Sequence, residues 1–240
     1  MISRMPPAAI LAGGLGTRIR SVGGDVPKVL LPVEGRPFLS HLLELLAREG
    51  IRDTVLCLGH QADLVAAAAH LHTSRAMQVT ESREPKALGT GGAVRLALPH
   101  LEGTFFLVNG DTYLDVDLGA LWRAHREASA VLTVALFASE KAAEKGSVAC
   151  DATGRIVKFS EKTAEGTGLI NAGVYVVERS LFRGVPENTP VSLEREIIPR
   201  ALAAGATMRG VEVPGPFVDI GLPDDYLGVR DGLPRRKEAS

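Results

Sequence analysis

The segment Leu11-Ala12-Gly13-Gly14-Leu15-Gly16-Thr17-Arg18 follows the apolar run Ala8-Ala9-Ile10, and Lys28 stands ten residues beyond its arginine, after Pro27. Three glycines in four positions leave a backbone whose N–H groups can close around phosphate oxygens at a strand-to-helix turn. Arg18 and Lys28 add two fixed cations able to neutralise a polyphosphate. The segment lacks the Gly-Lys-Ser/Thr ending of a P-loop, and Ile19 stands where the dinucleotide fingerprint needs its third glycine. A Walker ATPase and a dehydrogenase are therefore not indicated. The competing reading is a glycine-rich turn with two solvated cations, which turn geometry alone explains poorly.

Two carboxylates are set against apolar runs. Phe105-Phe106-Leu107-Val108-Asn109-Gly110-Asp111 ends in a carboxylate where a hard divalent cation would find oxygen ligands, although an Asx-type turn or a helix cap accounts for Asp111 equally well. In Phe217-Val218-Asp219-Ile220-Gly221 an acidic residue among apolar neighbours is costly unless paired or metal-bound, so a buried ion pair is the alternative. Taken with a polyphosphate loop, the two aspartates point to Mg2+ bridging protein and phosphates, a cation that takes one or two carboxylates.

Glu161-Lys162 ends a β run and supplies a further cation. That cation is useful only if the fold brings Lys162 opposite the loop; otherwise it is a surface lysine. Asn171-Ala172-Gly173 begins the next run. Leu88-Gly89-Thr90-Gly91-Gly92 is a second glycine-rich turn, suited to a flat ligand or to an anion at a helix N-terminus, or simply to starting a helix. The six histidines show no HExxH or comparable spacing and read as surface or hydrogen-bonded core residues. Asp115 and Asp117 are expected at the start of the helix carrying Trp122, where their charge favours the macrodipole. No Gly-x-Ser-x-Gly elbow supports a hydrolase.

These residues must be positioned by a sheet. Strands are expected near 7–12, 54–58, 77–81 and 104–109, alternating with helices over 37–48, 61–71 and 91–98. That is the pattern of βα units with right-handed crossovers, in an α/β fold that places ligands at the carboxyl ends of its strands. Beyond residue 130 come β-rich runs at 131–136, 147–149, 156–159 and 172–177, a helix over 193–204, a strand near 207–213 and a short helix from Pro223. One domain over 1–234 and a frayed polar tail, 235–240, are expected.

With 240 residues, 45% hydrophobic and 23% charged, the chain can bury a substantial core, and its net charge of −1 argues against a general nucleic-acid or anionic-membrane binder. Cys57 and Cys150 read as buried thiols of a reducing compartment rather than a disulfide or metal site. The proline-broken start does not resemble a signal peptide and no apolar run reaches bilayer length, so a cytoplasmic location is expected.

The ordered set, from the first glycine loop through Pro27-Lys28, Asn109-Gly110-Asp111, Glu161-Lys162 and Asn171-Ala172-Gly173 to Asp219-Ile220-Gly221, resembles the sugar-1-phosphate nucleotidylyltransferases over nearly the whole chain. The resemblance implies a Rossmann-like, GT-A-like nucleotidyltransferase fold with a mixed, mostly parallel central sheet flanked by helices. It also implies a metal-dependent reaction of a nucleoside triphosphate with a sugar 1-phosphate, giving nucleotide-sugar and pyrophosphate. Carried over by position, Leu11, Ala12, Gly13, Gly14, Gly16 and Thr17 would hold the nucleotide, with Glu84, Gly89, Thr90 and Asp111 also on its side. Arg18 would grip the departing pyrophosphate, Lys28 the triphosphate and Lys162 the sugar phosphate. Asn109, Glu161, Asn171 and Gly173 would face the sugar, and Asp111 and Asp219 would coordinate Mg2+.

The resemblance places Glu84, five residues before Gly89, at the nucleobase edge. A carboxylate only accepts hydrogen bonds, which suits the N1–H and N2 donors of guanine. Guanylyl transfer to a manno-configured heptose or hexose 1-phosphate is therefore favoured. The insertion-like stretch Pro85-Lys86-Ala87-Leu88 leaves Glu81 as the alternative base-facing residue. Uridylyl transfer and a non-catalytic nucleotide-sugar sensor are the competing functions. No hexapeptide repeat is present, so neither acetyl transfer nor trimerisation through a β-helix is expected, and the resemblance leaves a homodimer possible.

Overall fold

Alternation with a period of two sorts the strand residues onto two cores. In the first strand Ala8 and Ile10 enter one core and Ala9 the other, and the sixth divides Phe106 and Val108 from Phe105 and Leu107 in the same way. The structure, a computed structural model, describes residues 4–140, 147–160 and 167–236. Strand β1 (Ala8–Leu11) leads through the glycine loop to one turn of helix, α1 (Arg20–Gly23), and a short hairpin, β2 (Pro32–Val33) and β3 (Arg36–Pro37). Next come α2 (Phe38–Arg48), β4 (Asp53–Leu58), α3 (Ala62–His72), β5 (Gln78–Arg83), α4 (Gly89–Ala97), β6 (Thr104–Asn109), β7 (Thr112–Leu114) and α5 (Leu118–Glu127). The β-rich half holds β8 (Leu132–Ser139), β9 (Ser147–Cys150), β10 (Ile156–Ser160) and β11 (Gly168–Glu178). A π-helical turn, Leu193–Ile197, runs into α6 (Ile198–Ala203), followed by β12 (Met208–Glu212), β13 (Phe217–Asp219) and α7 (Pro223–Leu227).

Seven strands form the central sheet in the order β12-β8-β11-β6-β1-β4-β5. All run the same way except β11, which is antiparallel to both β6 and β8. This is the mixed, mostly parallel sheet expected. Helices cover both faces. Helix α2 buries Phe38, Leu39, Leu42, Leu43, Leu45 and Leu46 against one of them, each contributing about 1.5–3 kcal/mol by leaving water. Asp117 caps α5, accepting the Ala120 N–H at 2.8 Å.

Several elements depart from expectation. The helix read as 193–204 is broken into a π-helical turn and α6 because Pro199 has no N–H to give to an α-helical ladder. The small antiparallel pair β7–β13 and the hairpin β2–β3 were not foreseen, since strands of two or three residues carry no periodic signal. Cys57 is buried, which pushes its thiol up to about 12, whereas Cys150 is only half-buried.

Asp115 does not serve the α5 dipole. It is 1% exposed and pairs with Arg48 and with Arg236, whose backbone N and Nε reach it at 2.8 and 2.9 Å. Arg236 also meets Glu49 at 2.8 Å, and Arg235 meets Glu34 at 2.7 Å. The tail is therefore pinned through residue 236 rather than frayed from 235, because a buried carboxylate needs its cations. Arg236→Ala should lower the unfolding free energy by about 1–3 kcal/mol, with an unchanged denaturant slope in urea titrations. Arg48 is left as the remaining partner of Asp115.

Candidate active site

The carboxyl ends of β1, β5 and β6 open on a cleft of about 430 Å3 whose walls include the first glycine loop, Lys28, Glu84, the start of α4 and Asn109 to Asp111. The loop is held from below, where Ala12 N–H donates to Cys57 O at 2.9 Å and His60 N–H to Gly13 O at 3.2 Å. A Cβ on Gly13 would lie 2.7 Å from Glu84 Oε1 and 2.9 Å from Gly59 N. Only glycine lets the loop approach both. Gly59, which makes this close approach from the other side, was missed by the sequence reading. Gly14 has open space around it, and Thr17 and Arg18 stand exposed at the rim. Among the described residues no hydrogen bond or ion pair restrains Arg18, so its guanidinium is available to a ligand.

Lys28 begins a 3-10 turn, Lys28–Leu30, after Pro27, and its half-buried ammonium pairs with Asp111 Oδ2. Asp111 follows Gly110, whose N–H donates to Leu11 O at 3.0 Å. A Cβ at 110 would sit 2.3 Å from that oxygen and 2.9 Å from Val29 Cγ1, so the turn after β6 tolerates glycine alone. Asp219 arrives from the opposite direction: β13 pairs with β7 so that Asp219 faces Thr112, and Ile220 N–H donates to Asp111 O at 2.9 Å. Asp219 Oδ1 accepts the Gly221 N–H at 2.8 Å, and Gly221 borders both Asp219 and Lys28. The small β7–β13 pair thus brings two strand-end carboxylates together beside a lysine. Two neighbouring carboxylates are the oxygen ligands that suit a hard divalent cation drawing its other ligands from phosphate and water. No cluster of three or more His, Cys, Asp or Glu occurs among the described residues.

Glu84 follows β5 and lines the cleft, its Oε2 accepting the Leu88 N–H at 2.7 Å. Burial raises its pKa above the usual carboxylate range, while the Leu88 hydrogen bond works in the opposite direction. Glu81 is engaged elsewhere, with His70 at 3.0 Å and with Arg83, which lowers its pKa. Gly89 and Thr90 also border the cleft. The N–H groups of Gly91 and Gly92 are both spent on Val191 O, at 2.9 and 3.1 Å, so those amides are not offered to an anion.

Asn109 lines the cleft, and its buried Oδ1 has no hydrogen-bond partner among the described residues. Asn171 and Gly173 lie in β11 where its register against β8 shifts, with Gly173 at φ +70° and its N–H on Asn171 Oδ1 at 3.0 Å. A Cβ at 173 would come 2.9 Å from Thr112 Oγ1 and 3.1 Å from Asn109 Nδ2, which places this bulge against the end of β6. Glu161 and Lys162 lie outside the described residues. Sequence reasoning also missed Tyr175 and Glu194, which join Asn171 and Thr90 in one hydrogen-bonded group. Ser192, three residues before Arg195 and accepting its N–H, marks a helix start but gives no sign that Glu194 turns inward.

A mostly parallel sheet with one reversed strand, carrying a glycine-lined cleft with cations and paired carboxylates at its strand ends, defines an α/β protein built to handle a phosphorylated nucleotide. The chain belongs to the nucleotidyl transferase family, which it matches over residues 7–235. Nucleotidyltransferases of this family generally work with a divalent metal.

Similar proteins include the mannose-1-phosphate guanylyltransferase of Mycobacterium tuberculosis, 34% identical over 95% of this chain; the chain spans 64% of that relative's length. The D-glycero-alpha-D-manno-heptose 1-phosphate guanylyltransferase of Campylobacter jejuni is 30% identical over 91% of this chain and 96% of its own. The crystal structure of HddC from Yersinia pseudotuberculosis complexed with GMP-PN superposes with a TM-score of 0.84 at 30% identity, covering 95% of this chain and 99% of that one. An inositol-1-phosphate CTP transferase from T. maritima, at 22% identity and a TM-score of 0.76, shares the fold. No helix among the described residues is long and apolar enough to cross a membrane.

The Gly110 contact yields a direct test. Gly110→Ala should cost about 1–3 kcal/mol of stability through overpacking and should weaken nucleotide binding measured by calorimetry, because the displaced turn carries Asp111.

Proposed function

We propose that the protein transfers a guanylyl group from GTP to a manno-configured sugar 1-phosphate, releasing pyrophosphate. The observation that carries this reading is the Glu84 carboxylate, fixed by Leu88 N–H in the cleft wall against the Gly13 turn. An ionised carboxylate matches the adjacent N1–H and N2 donors of guanine, while uracil offers a mixed edge. The names of the mycobacterial and Campylobacter relatives and the GMP-PN bound to HddC support the same base.

In the reaction an oxygen of the sugar phosphate bonds to the α-phosphorus of GTP, the bond from that phosphorus to the β-bridging oxygen breaks, and the electron pair leaves with pyrophosphate. The nucleophile is already anionic, so no general base is required, and the work is in-line positioning and charge neutralisation. The glycine loop would lie along the triphosphate, with Lys28 reaching it from the cleft wall. Arg18, exposed at the rim, would follow the departing pyrophosphate. Asn109 Oδ1, a buried acceptor without a partner among the described residues, suits a sugar hydroxyl donor. Lys162 would receive the sugar phosphate, with Glu161, Asn171 and Gly173 on the sugar side. Asp111 and Asp219 would hold Mg2+, which when bound supplies positive charge to the phosphates. A cytoplasmic location and a homodimer fit such an enzyme.

Pyrophosphate release should be measured with each NTP, Mg2+ and a panel of sugar 1-phosphates. Turnover is expected to be highest with GTP and mannose or manno-heptose 1-phosphate; silence across the panel would overturn the enzymatic reading, and a strong UTP preference the base assignment. Asp111→Ala and Lys28→Ala should each lower turnover by at least ~100-fold, the scale of one lost electrostatic contact to the transition state. A loss of binding without loss of turnover at saturation would count against these roles.

Glu84→Gln should lower kcat/KM for GTP about 10- to 100-fold and narrow the preference for GTP over UTP. Because burial raises the Glu84 pKa, the carboxyl takes up a proton at higher pH than an ordinary glutamate and then offers a donor where guanine needs an acceptor. KM for GTP should therefore rise as the pH falls from 7 through that raised value, and the rise should vanish in Glu84→Gln. A KM that is flat with pH in the unmodified protein would contradict the assignment.

A further inference from the structure

Thr90 stands at the start of α4 on the nucleotide side, and Asn171 lies in the β11 bulge on the sugar side; a single carboxylate joins them. Glu194 Oε2 accepts the Thr90 hydroxyl at 2.7 Å, and its Oε1 accepts the Tyr175 hydroxyl at 3.3 Å. The proton direction in both arms is fixed. An amide nitrogen can only donate, so Asn171 Nδ2, 2.6 Å from the Tyr175 oxygen, leaves that hydroxyl to spend its own proton on Glu194. Leu193 N–H likewise donates to Thr90 Oγ1 at 2.9 Å and leaves the threonine proton for the carboxylate. Tyr175 is completely buried, and burial keeps its hydroxyl protonated and able to donate.

A carboxylate accepts at both ends and so takes the proton of each hydroxyl. Glutamine preserves the volume but turns one end into a donor, so that end can meet its hydroxyl only if the hydroxyl sends its own proton elsewhere, and the arm is weakened. The surrounding strap has no slack to absorb the change. Val191 N–H donates to Leu88 O at 2.9 Å while Val191 O takes two α4 amides, and a Cβ on Gly92 would meet Thr189 O at 2.7 Å.

We propose that Glu194 is a positioning residue that couples the two halves of the site, setting the Thr90 turn and the Asn171 amide with one carboxylate so that ordering one half orders the other. The proposal rests on the nucleotidyl transfer from NTP to sugar 1-phosphate argued above. It goes beyond that reading by predicting reciprocal coupling between the two substrates through a residue outside the cleft wall.

The test is initial-rate kinetics with GTP, mannose 1-phosphate and Mg2+, or with the pair of highest turnover in the panel, on the unmodified protein and on Thr90→Val, Tyr175→Phe and Glu194→Gln. Thr90→Val should raise KM for the nucleotide about fivefold or more and that for the sugar phosphate by a smaller factor. Tyr175→Phe should do the reverse. Glu194→Gln should raise both by about fivefold or more, the lower end of ordinary coupling between sites. Glu194→Gln/Tyr175→Phe should raise the sugar-phosphate KM by less than the product of the two single effects, since both changes act on the Tyr175 arm. A Glu194→Gln protein whose thermal midpoint falls while both KM values stay within about twofold of the original has only a structural glutamate, and the proposal is overturned. An unmodified protein inactive with every NTP and sugar phosphate overturns the proposed function itself and this coupling with it, a result distinct from unchanged KM values in an active enzyme.

Discussion

The contact between Leu11 O and Gly110 N–H is the constraint from which the site is built. β1 lies between β4 and β6, so the chain leaving its carboxyl end has strand ends on both sides, and the cleft can form only if those ends approach without side chains. On the β6 side the room is made by Gly110, where a Cβ would come within 2.3 Å of the Leu11 carbonyl. On the β4 side it is made by Gly13 and Gly59, which leave 2.8–2.9 Å between a hypothetical Cβ of either and the backbone of the other. Close packing of backbone on backbone is rigid in a way that loop side chains are not. It holds the backbone of the first loop, Asp111 and Glu84 in one frame.

Charge is arranged to match that frame. The net charge of −1 gives the molecule no general attraction for anions, so any positive field has to be local. Lys28 and Arg18 divide the task. Lys28 is mostly buried and paired with Asp111, which keeps its ammonium from being an uncompensated buried charge before any ligand arrives. Arg18 stands exposed at the rim, where no compensation is needed. A triphosphate entering with a divalent cation would let Lys28 exchange one anionic partner for another.

The sequence made the periodic and local parts of this legible. Strands β1, β4, β5 and β6 lie within a residue or two of their expected positions because their apolar runs are bounded by clear turn signals. Glycine loops and strand-end aspartates were visible for the same reason. What stayed hidden depends on partners far away in the chain. Nothing local says that Asp115 pairs with an arginine 121 residues later instead of serving its own helix, or that this arginine pins the tail. The difference between Glu84 and Glu81 likewise lies in their neighbours: His70 and Arg83 engage Glu81, while Leu88 N–H and the glycine loop leave Glu84 in the cleft. Glu194 sits in a charged run that reads as a solvated helix face, and only the fold turns one of its carboxylates inward.

The reversed strand changes what the sheet brings to the cleft. In a wholly parallel sheet every strand would bring its carboxyl end to the cleft, and each would leave it through a loop entering a crossover helix. Inserting β11 antiparallel between β6 and β8 instead delivers the beginning of a strand to that edge. Its pairing of Val174 with Val108 sets Asn171 and Gly173 beside Asn109, on continuous sheet rather than on a flexible loop. The bulge between Asn171 and Tyr175 is the adjustment this requires. Gly173 takes up the positive φ, Asn171 bonds back to its N–H, and Tyr175 can then keep its ring in the core with its hydroxyl among the amides. Side chains carried on paired strands are held more closely than those on loops. The cleft is thus walled by backbone packed on backbone on one side and by paired strands on the other.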